Sequence, residues 1–231
     1  MPVILGIESS CDDTAAAILE DGSIRSNVIA NQRVHEHYGG VVPELAARAH
    51  LQNIVPVVDQ ALAKANIDKN DIHAIAYTLG PGLVGSLLVG NAFAKSLALS
   101  LDVPLIEVNH MQAHLLVHFE RDLPKPKFPF LGLTVSGGHT QLVVVKSVDD
   151  MEIIGQTLDD AVGEAFDKAG KMLGLPYPSG PAIDRLANNG KPCIDFAKPA
   201  VPELDFSFSG LKTSILYHLR AKQKEDDHYI R

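Results

Sequence analysis

The run Asn109-His110-Met111-Gln112-Ala113-His114 carries the residues best suited to chemistry. Positions four apart share a helix face, so His110 and His114 bring two imidazoles toward a single ion if the run is helical. The spacing leaves two readings open, a metal site or a polar helix face. His118, a further turn along, is a third ligand or simply more of a solvated stripe. The glutamate of a His-Glu-x-x-His protease helix is absent, because Met111 follows His110.

Two turns offer a different chemistry. Val135-Ser136-Gly137-Gly138-His139-Thr140 is a tight turn between strands whose glycines let backbone N–H groups approach an anion, which suits phosphate. A plain Gly-Gly hairpin reads the same way. Ser9-Ser10-Cys11-Asp12-Asp13-Thr14 matches it in place and adds two carboxylates. Asp12 and Asp13 are candidates to bind a cation or act as a base, or one caps the turn through backbone amides. Farther along, the run from Asp159 to Lys168 is expected to start a helix with acids in its first turn, aligning Asp160, Glu164 and Asp167 on one face. Such a row is a solvated acidic face or a grip on ribose hydroxyls. Tyr177 to Pro181 is a stiff loop, with Asp184 just inside the next helix. The segment Phe206 to Thr213 reads as a strand-to-helix junction.

The elements that must position these residues follow from patterning. Val3 to Glu8, Thr14 to Glu20 and Ile24 to Ala30 are expected strands of an antiparallel meander, with Asp21-Gly22 at the second turn. Gly39-Gly40 is a loop. Pro43 opens a helix to about Ala65, with Pro56 the position where a kink is expected. Ala74 to Leu79 is a buried strand, Val84 to Leu101 a small-residue helix, and Pro104 to Asn109 a strand. A turn then leads to the histidine helix, at a strand's carboxyl end, where α/β sheets place ligands. Asp122 to Pro129 is proline-rich and marks a domain boundary, giving expected domains 1–125 and 126–231.

Past that boundary the opening pattern returns. Gly6-Ile7-x-x-Ser10-x-x-x-Thr14 and Gly132-Leu133-x-x-Ser136-x-x-x-Thr140 share spacing, and each precedes further β runs. Two related halves, each opening on a β-meander with helices packed on it, describe the α/β architecture of actin, sugar kinases and Hsp70, which binds nucleotide phosphates at its first hairpins.

Composition narrows the class. The chain has 231 residues, 46% of them hydrophobic, which is globular rather than disordered. Cys11 and Cys193 are the only cysteines, which argues against a disulfide framework or a thiolate zinc site and for a reducing, cytoplasmic setting. No signal peptide is expected. The apolar stretch 79–101 is interrupted by Asn91, Lys95 and glycines, which favours a buried helix over a membrane span. A net charge of −8 argues against a broadly cationic nucleic-acid binder, though a local patch or a partner can supply positive potential.

Five segments together resemble one family. Gly6 to Thr14, Gly39 to Ala46, Asn109 to His114, Val135 to Thr140 and Phe206 to Lys212 are similar, in order along the chain, to TsaD, the tRNA threonylcarbamoyladenosine transferases once labelled Gcp, YgjD or O-sialoglycoprotein endopeptidase. The resemblance implies an actin-like ATPase (ASKHA) fold of two ribonuclease-H-like halves. It implies transfer of a threonylcarbamoyl group from threonylcarbamoyl-AMP, an ATP/AMP-like ligand, to N6 of adenosine 37 in tRNAs reading codons that start with A. It assigns His110 and His114 to one Fe2+ or Zn2+ per subunit, and Thr134, Val135, Ser136, Gly137, Gly138, Asp167, Gly180 and Asp184 to substrate. The expected partners are tRNA and, in bacteria, a smaller paralogue (TsaB) and an ATPase subunit (TsaE), with no membrane.

Two departures stand out. Ser179 replaces a glycine that the family usually places before Gly180-Pro181. The chain also stops at Arg231, before the family's Gly-Gly-Val-x-x-Asn segment and the aspartate completing the metal shell, so its C-terminal part is expected to be missing and residues 1–231 to have little activity alone. On chemical grounds Asp12 is the first candidate for relaying the N6 proton and Asp13 the second. The competing readings are a metalloendopeptidase (glycoprotease) and a non-enzymatic actin-like nucleotide-binding scaffold.

Overall fold

The computed structural model describes residues 2–225. Contacts divide the chain into two units, Met1–His35 with Val41–Pro126, and Glu36–Gly40 with Lys127–Arg231.

The first unit opens with β1 (Val3–Glu8), β2 (Asp13–Glu20) and β3 (Ser23–Asn31), the meander the sequence predicts. Next come α1 (Pro43–Ala65), β4 (Ala74–Gly80), α2 (Val84–Leu101), β5 (Leu105–Asn109) and α3 (His110–Leu116). The sheet order is β3-β2-β1-β4-β5, with β1 and β4 parallel and β1 and β2 antiparallel. Alternation in β1 sends Val3, Leu5 and Ile7 into a core shared with Ile54, Val57, Val58 and Ala61 of α1 and Ala94 and Ala98 of α2. Each large apolar side chain buried there contributes about 1.5–3 kcal/mol, which fixes the register of β1 because a one-residue slip would turn the set to solvent. The helix α1 remains helical across Pro56 and ends at Asn66, whose left-handed φ of 56° lets its N–H reach Ala63 and Leu62 carbonyls.

Ser86, Gly90, Ala94 and Ala98 of α2 are buried at i, i+4 spacing, the stripe by which this helix lies on the sheet. Among the described residues α2 is the one helix long and apolar enough to cross a membrane; against the buried helix expected from the sequence, only this stripe is buried, and Val84, Leu88 and Leu99 are exposed.

The second unit holds the antiparallel sheet β6 (Phe130–Val135), β7 (Thr140–Val145) and β8 (Met151–Gln156), in that order. The helices α4 (Val162–Met172), α5 (Gly180–Ala187) and α6 (Ser209–Glu225) follow. The repeat seen in the sequence reappears as identical strand register. Gly6 pairs with Ala17 and Gly132 with Val143; Ile7 pairs with Ala16 and Leu133 with Leu142; Glu8 pairs with Ala15 and Thr134 with Gln141.

Candidate functional site

The turn between β1 and β2 is locked from below. The Cβ of any residue replacing Gly82 would lie 2.5 Å from the Ser10 carbonyl oxygen, and one replacing Gly90 would lie 2.2 Å from Ser9 Oγ. Only glycine allows that approach of α2 and its leading loop. Ser9 Oγ donates to the Ser86 carbonyl at 3.0 Å, Ser86 Oγ to the Cys11 carbonyl at 2.9 Å, and the Leu83 N–H to the Ser10 carbonyl at 2.8 Å. Fully buried His50 of α1 completes the clamp. Its Nε2 donates to the Cys11 carbonyl at 3.0 Å, which leaves Nδ1 to accept from the Thr14 hydroxyl at 2.8 Å.

On this base stand the predicted carboxylates. Asp13 Oδ1 accepts from Asn31 Nδ2 at 2.7 Å. Desolvation raises the Asp13 pKa and neighbouring Asp12 adds to the rise, against the lowering bond from Asn31. Asp12 is only half exposed, between the exposed Cys11 and Asp13. Desolvation of its sulfur and the adjacent Asp12 push the Cys11 thiol up to about 12, so it stays protonated at neutral pH and is no thiolate nucleophile.

The histidine pair sits where β5 runs straight into α3, without the intervening turn expected from the sequence. Asn109 is the reason: its side chain accepts the N–H groups of Met111 and Gln112 at 2.9 and 3.1 Å, so a strand residue serves directly as helix cap. His110 Nε2 and His114 Nε2 are 3.2 Å apart, with the rings at 83°. Two nitrogens about 2.0–2.1 Å from one tetrahedral ion lie about 3.3 Å apart, so the pair has the spacing of two ligands on one metal. Among the described residues no third His, Cys, Asp or Glu joins them in a metal-sized group. His118 is exposed on the short turn after α3.

Behind His110 stands a residue for which the sequence suggested no role. Glu8 Oε2 is 3.2 Å from His110 Nδ1 and accepts the Thr78 hydroxyl at 2.5 Å, while Oε1 accepts the Ser10 N–H. Burial alone would raise the Glu8 pKa, but hydrogen bonds from His110, Ser10 and Thr78 outweigh it and hold the carboxyl at about 2. Desolvation, with His110 beside it, lowers the His114 pKa, and Glu8 opposes the shift. A neutral imidazole is what a metal requires.

In the second unit, Ser136 organises the β6–β7 turn. Its N–H donates to the His139 carbonyl at 2.9 Å, and its Oγ accepts from the His139 N–H at 3.0 Å and the Gly138 N–H at 3.3 Å. Thr134 is buried and Val135 exposed on β6. A Cβ on Gly137 or Gly138 would meet nothing within 4 Å, so this backbone faces open space. The start of α4 closes over the turn: the Val162 N–H donates to Thr140 Oγ1 at 2.9 Å and the Gly163 N–H to the Ser136 carbonyl at 3.0 Å.

This helix starts later than expected. Ala161 is its N-cap, and Asp159 and Asp160 precede it rather than forming its first turn. Both acids have distant partners that hold them outside. Asp159 accepts from Ser207 Oγ at 2.5 Å and from the Phe208 and Ser209 N–H groups at 2.8 and 3.3 Å, capping α6. Those bonds outweigh desolvation and hold its pKa well below the usual carboxylate range. Asp160 pairs with Lys168 at 2.8 Å and Lys212 at 3.0 Å; Lys168 also reaches Glu164 at 2.8 Å. Desolvation is overcome here too, so the Asp160 pKa is lowered, and the paired carboxylates raise Lys168. Asp167 Oδ1 accepts the Ser179 N–H at 2.7 Å and ties down the loop before α5. Ser179 is itself buried, with Cβ and Oγ lying where a side chain on Gly170 would be. Gly180 opens α5, Asp184 is exposed on it, and nothing lies within 4 Å of a Cβ on Gly180.

The structure thus joins His110 with His114 and groups Ser136, Gly137 and Gly138 with the start of α4. It adds Glu8, Thr78 and His50, none of which carries a local sequence signal of such a role, and brings Ser10, already marked by the repeat, to within 3.3 Å of His110 Nδ1.

The family described as tRNA N6-adenosine threonylcarbamoyltransferase (TsaD) matches residues 23–228. The protein of that name from Christiangramia forsetii is 64% identical over 230 residues, covering 98% of this chain and 68% of its own length. Those from Riemerella anatipestifer and Phocaeicola vulgatus are 60% and 59% identical, covering 99% of this chain and 68% and 69% of theirs. In fold alone, component A of (R)-2-hydroxyglutaryl-CoA dehydratase from Acidaminococcus fermentans aligns with a TM-score of 0.56 at 13% identity, over 96% of this chain and 70% of that one. The fold is α/β and actin-like. Identity of this order along nearly the whole chain is kinship: the chain belongs to the tRNA N6-adenosine threonylcarbamoyltransferase family.

Proposed function

We propose that this chain transfers a threonylcarbamoyl group from threonylcarbamoyl-AMP to N6 of adenosine 37 in tRNAs reading codons that start with A. The family is metal-dependent and binds nucleotide. The observation that carries the site assignment is the pair of imidazole nitrogens 3.2 Å apart at the carboxyl end of β5.

In the reaction, the N6 lone pair attacks the carbamoyl carbon, the bond from that carbon to the phosphate oxygen breaks, AMP leaves, and N6 loses a proton. The amine is a poor nucleophile because its lone pair is delocalised into the ring, while the mixed anhydride is already activated. Orientation and charge stabilisation therefore dominate. His110 and His114 would hold one Fe2+ or Zn2+, which supplies Lewis acidity toward the carbamoyl carbonyl or an anchor for the threonyl carboxylate. The Ser136, Gly137 and Gly138 turn receives phosphate, beside Thr134 and Val135. Asp167, Gly180 and Asp184 frame the nucleoside, Asp167 through the loop it ties down. Asp12 takes the N6 proton, with Asp13 as the alternative base. tRNA is the acceptor, a TsaB-like paralogue and a TsaE-like ATPase are the partners, and the cytoplasm is the setting.

The glycoprotease alternative needs a water-activating base beside the metal. Gln112 has no basic function, and Glu8 faces Nδ1 rather than the Nε2 pair and already accepts from Ser10 and Thr78. Supplying the full-length protein and its partners with threonylcarbamoyl-AMP and unmodified tRNA tests the proposal. Threonylcarbamoyladenosine at position 37 is the expected product; AMP release with unmodified tRNA would contradict it.

A further inference from the structure

Glu8 closes β1, and its carboxylate meets a histidine 102 residues later. Its Oε1 accepts the Ser10 N–H, and its Oε2 accepts the Thr78 hydroxyl from the neighbouring strand β4. A carboxylate with both oxygens accepting has no proton to give, so His110 Nδ1 meets Oε2 at 3.2 Å as an N–H donor. The Ser10 hydroxyl oxygen lies 3.3 Å from the same nitrogen and accepts a share of that proton if Nδ1 carries it. A neutral imidazole carrying its proton on Nδ1 has its lone pair on Nε2, the atom that faces His114 Nε2.

We propose that Glu8 is a positioning residue for the metal centre: it fixes the Nδ1–H tautomer and ring plane of His110, so that Nε2 carries the lone pair an ion takes once His114 gives up the Nε2 proton it donates there. The inference rests on the metal reading above and deepens it. Glu8 itself touches neither ion nor substrate. Neighbouring elements build the device: β1 supplies the acceptor, β4 the hydroxyl that anchors it, and α3, entered directly from β5, the histidine. A carboxylate bonded to the far nitrogen of a metal-ligating histidine orients the ring and raises its basicity, and its loss costs about 10–100-fold in metal affinity.

The test uses the full-length protein, with two readouts. Nitrogen-15 NMR of the metal-free protein reports which ring nitrogen of His110 carries the proton. Chelator competition with zinc alone reports affinity. The wild type is expected to show Nδ1–H at His110. Glu8→Gln, the same size but able to donate as well as accept, is expected to mix the tautomers and weaken zinc binding by about 10–100-fold. Thr78→Val keeps the carboxylate but removes one anchor, and is expected to give a smaller loss in the same direction. It keeps the question decidable if Glu8→Gln fails to fold. An Nε2–H tautomer in the metal-free wild type, or zinc affinity unchanged in both variants, would overturn the proposal. Absence of zinc uptake by a wild type that does show Nδ1–H would overturn the metal reading and Glu8's part in ligation together, and the NMR signal distinguishes that failure from the first.

Discussion

Gly163 packs so closely on Ser136 that a Cβ at position 163 would stand 2.5 Å from the Ser136 carbonyl oxygen. That oxygen already accepts the Gly163 N–H, so helix start and turn form one piece. Gly163→Ala must push the β6–β7 turn off the start of α4, at a cost of about 1–3 kcal/mol from overpacking. Denaturant unfolding checks the stability, and AMP titration is expected to show weakened binding in the same variant. AMP affinity equal to wild type would separate the turn from the phosphate site.

The counterpart in the first unit is a side-chain bond. Thr14→Val preserves shape but leaves the buried His50 Nδ1 without its hydroxyl, which costs about 1–3 kcal/mol. Thermal unfolding reads the loss. Because His50 also holds the Cys11 carbonyl, transferase activity is expected to fall along with stability.

Acid should erase one ion-pair contribution. The Asp160 pKa is lowered in the folded chain, so its stabilisation is present above the unfolded-state value and is lost as pH falls through the folded value. Asp160→Asn is therefore expected to be less stable than wild type at pH 7, by about 1 kcal/mol given partly exposed lysine partners. The two proteins converge once the pH lies below the ordinary carboxylate range. Unfolding curves at several pH values check the sign; a gap that widens on acidification would refute it.

Asp12→Asn removes the proposed proton acceptor while leaving the turn's anchors at Ser9, Thr14, Ser86 and His50 untouched. Single-turnover transfer is expected to slow by about 100- to 10,000-fold with donor affinity retained. An unchanged transfer rate would pass the role to Asp13.

Much of this fold is legible locally. The alternation of β1, the small residues of α2 and the spacing shared by Gly6, Ser10 and Thr14 with Gly132, Ser136 and Thr140 are local signals, and each corresponds to an observed element or register. The histidine spacing is local too, and the cap at Asn109 gives it a rigid start. Contacts between distant positions are a different matter. Asp159 and Asp160 look like first-turn helix acids until the start of α6 and Lys212, about fifty residues on, claim them. Nothing near Glu8 announces that its partner is His110, because pairing of β1, β4 and β5 brings them together, and sheet order is not written in a local pattern.

The most direct test of the account is threonylcarbamoyladenosine formation in tRNA by full-length protein carrying alanine at both His110 and His114, assayed by mass spectrometry with its partners and threonylcarbamoyl-AMP. The account predicts modified adenosine with the wild type and its loss in the double variant, with fold and AMP binding intact. Undiminished modification by the double variant would contradict it.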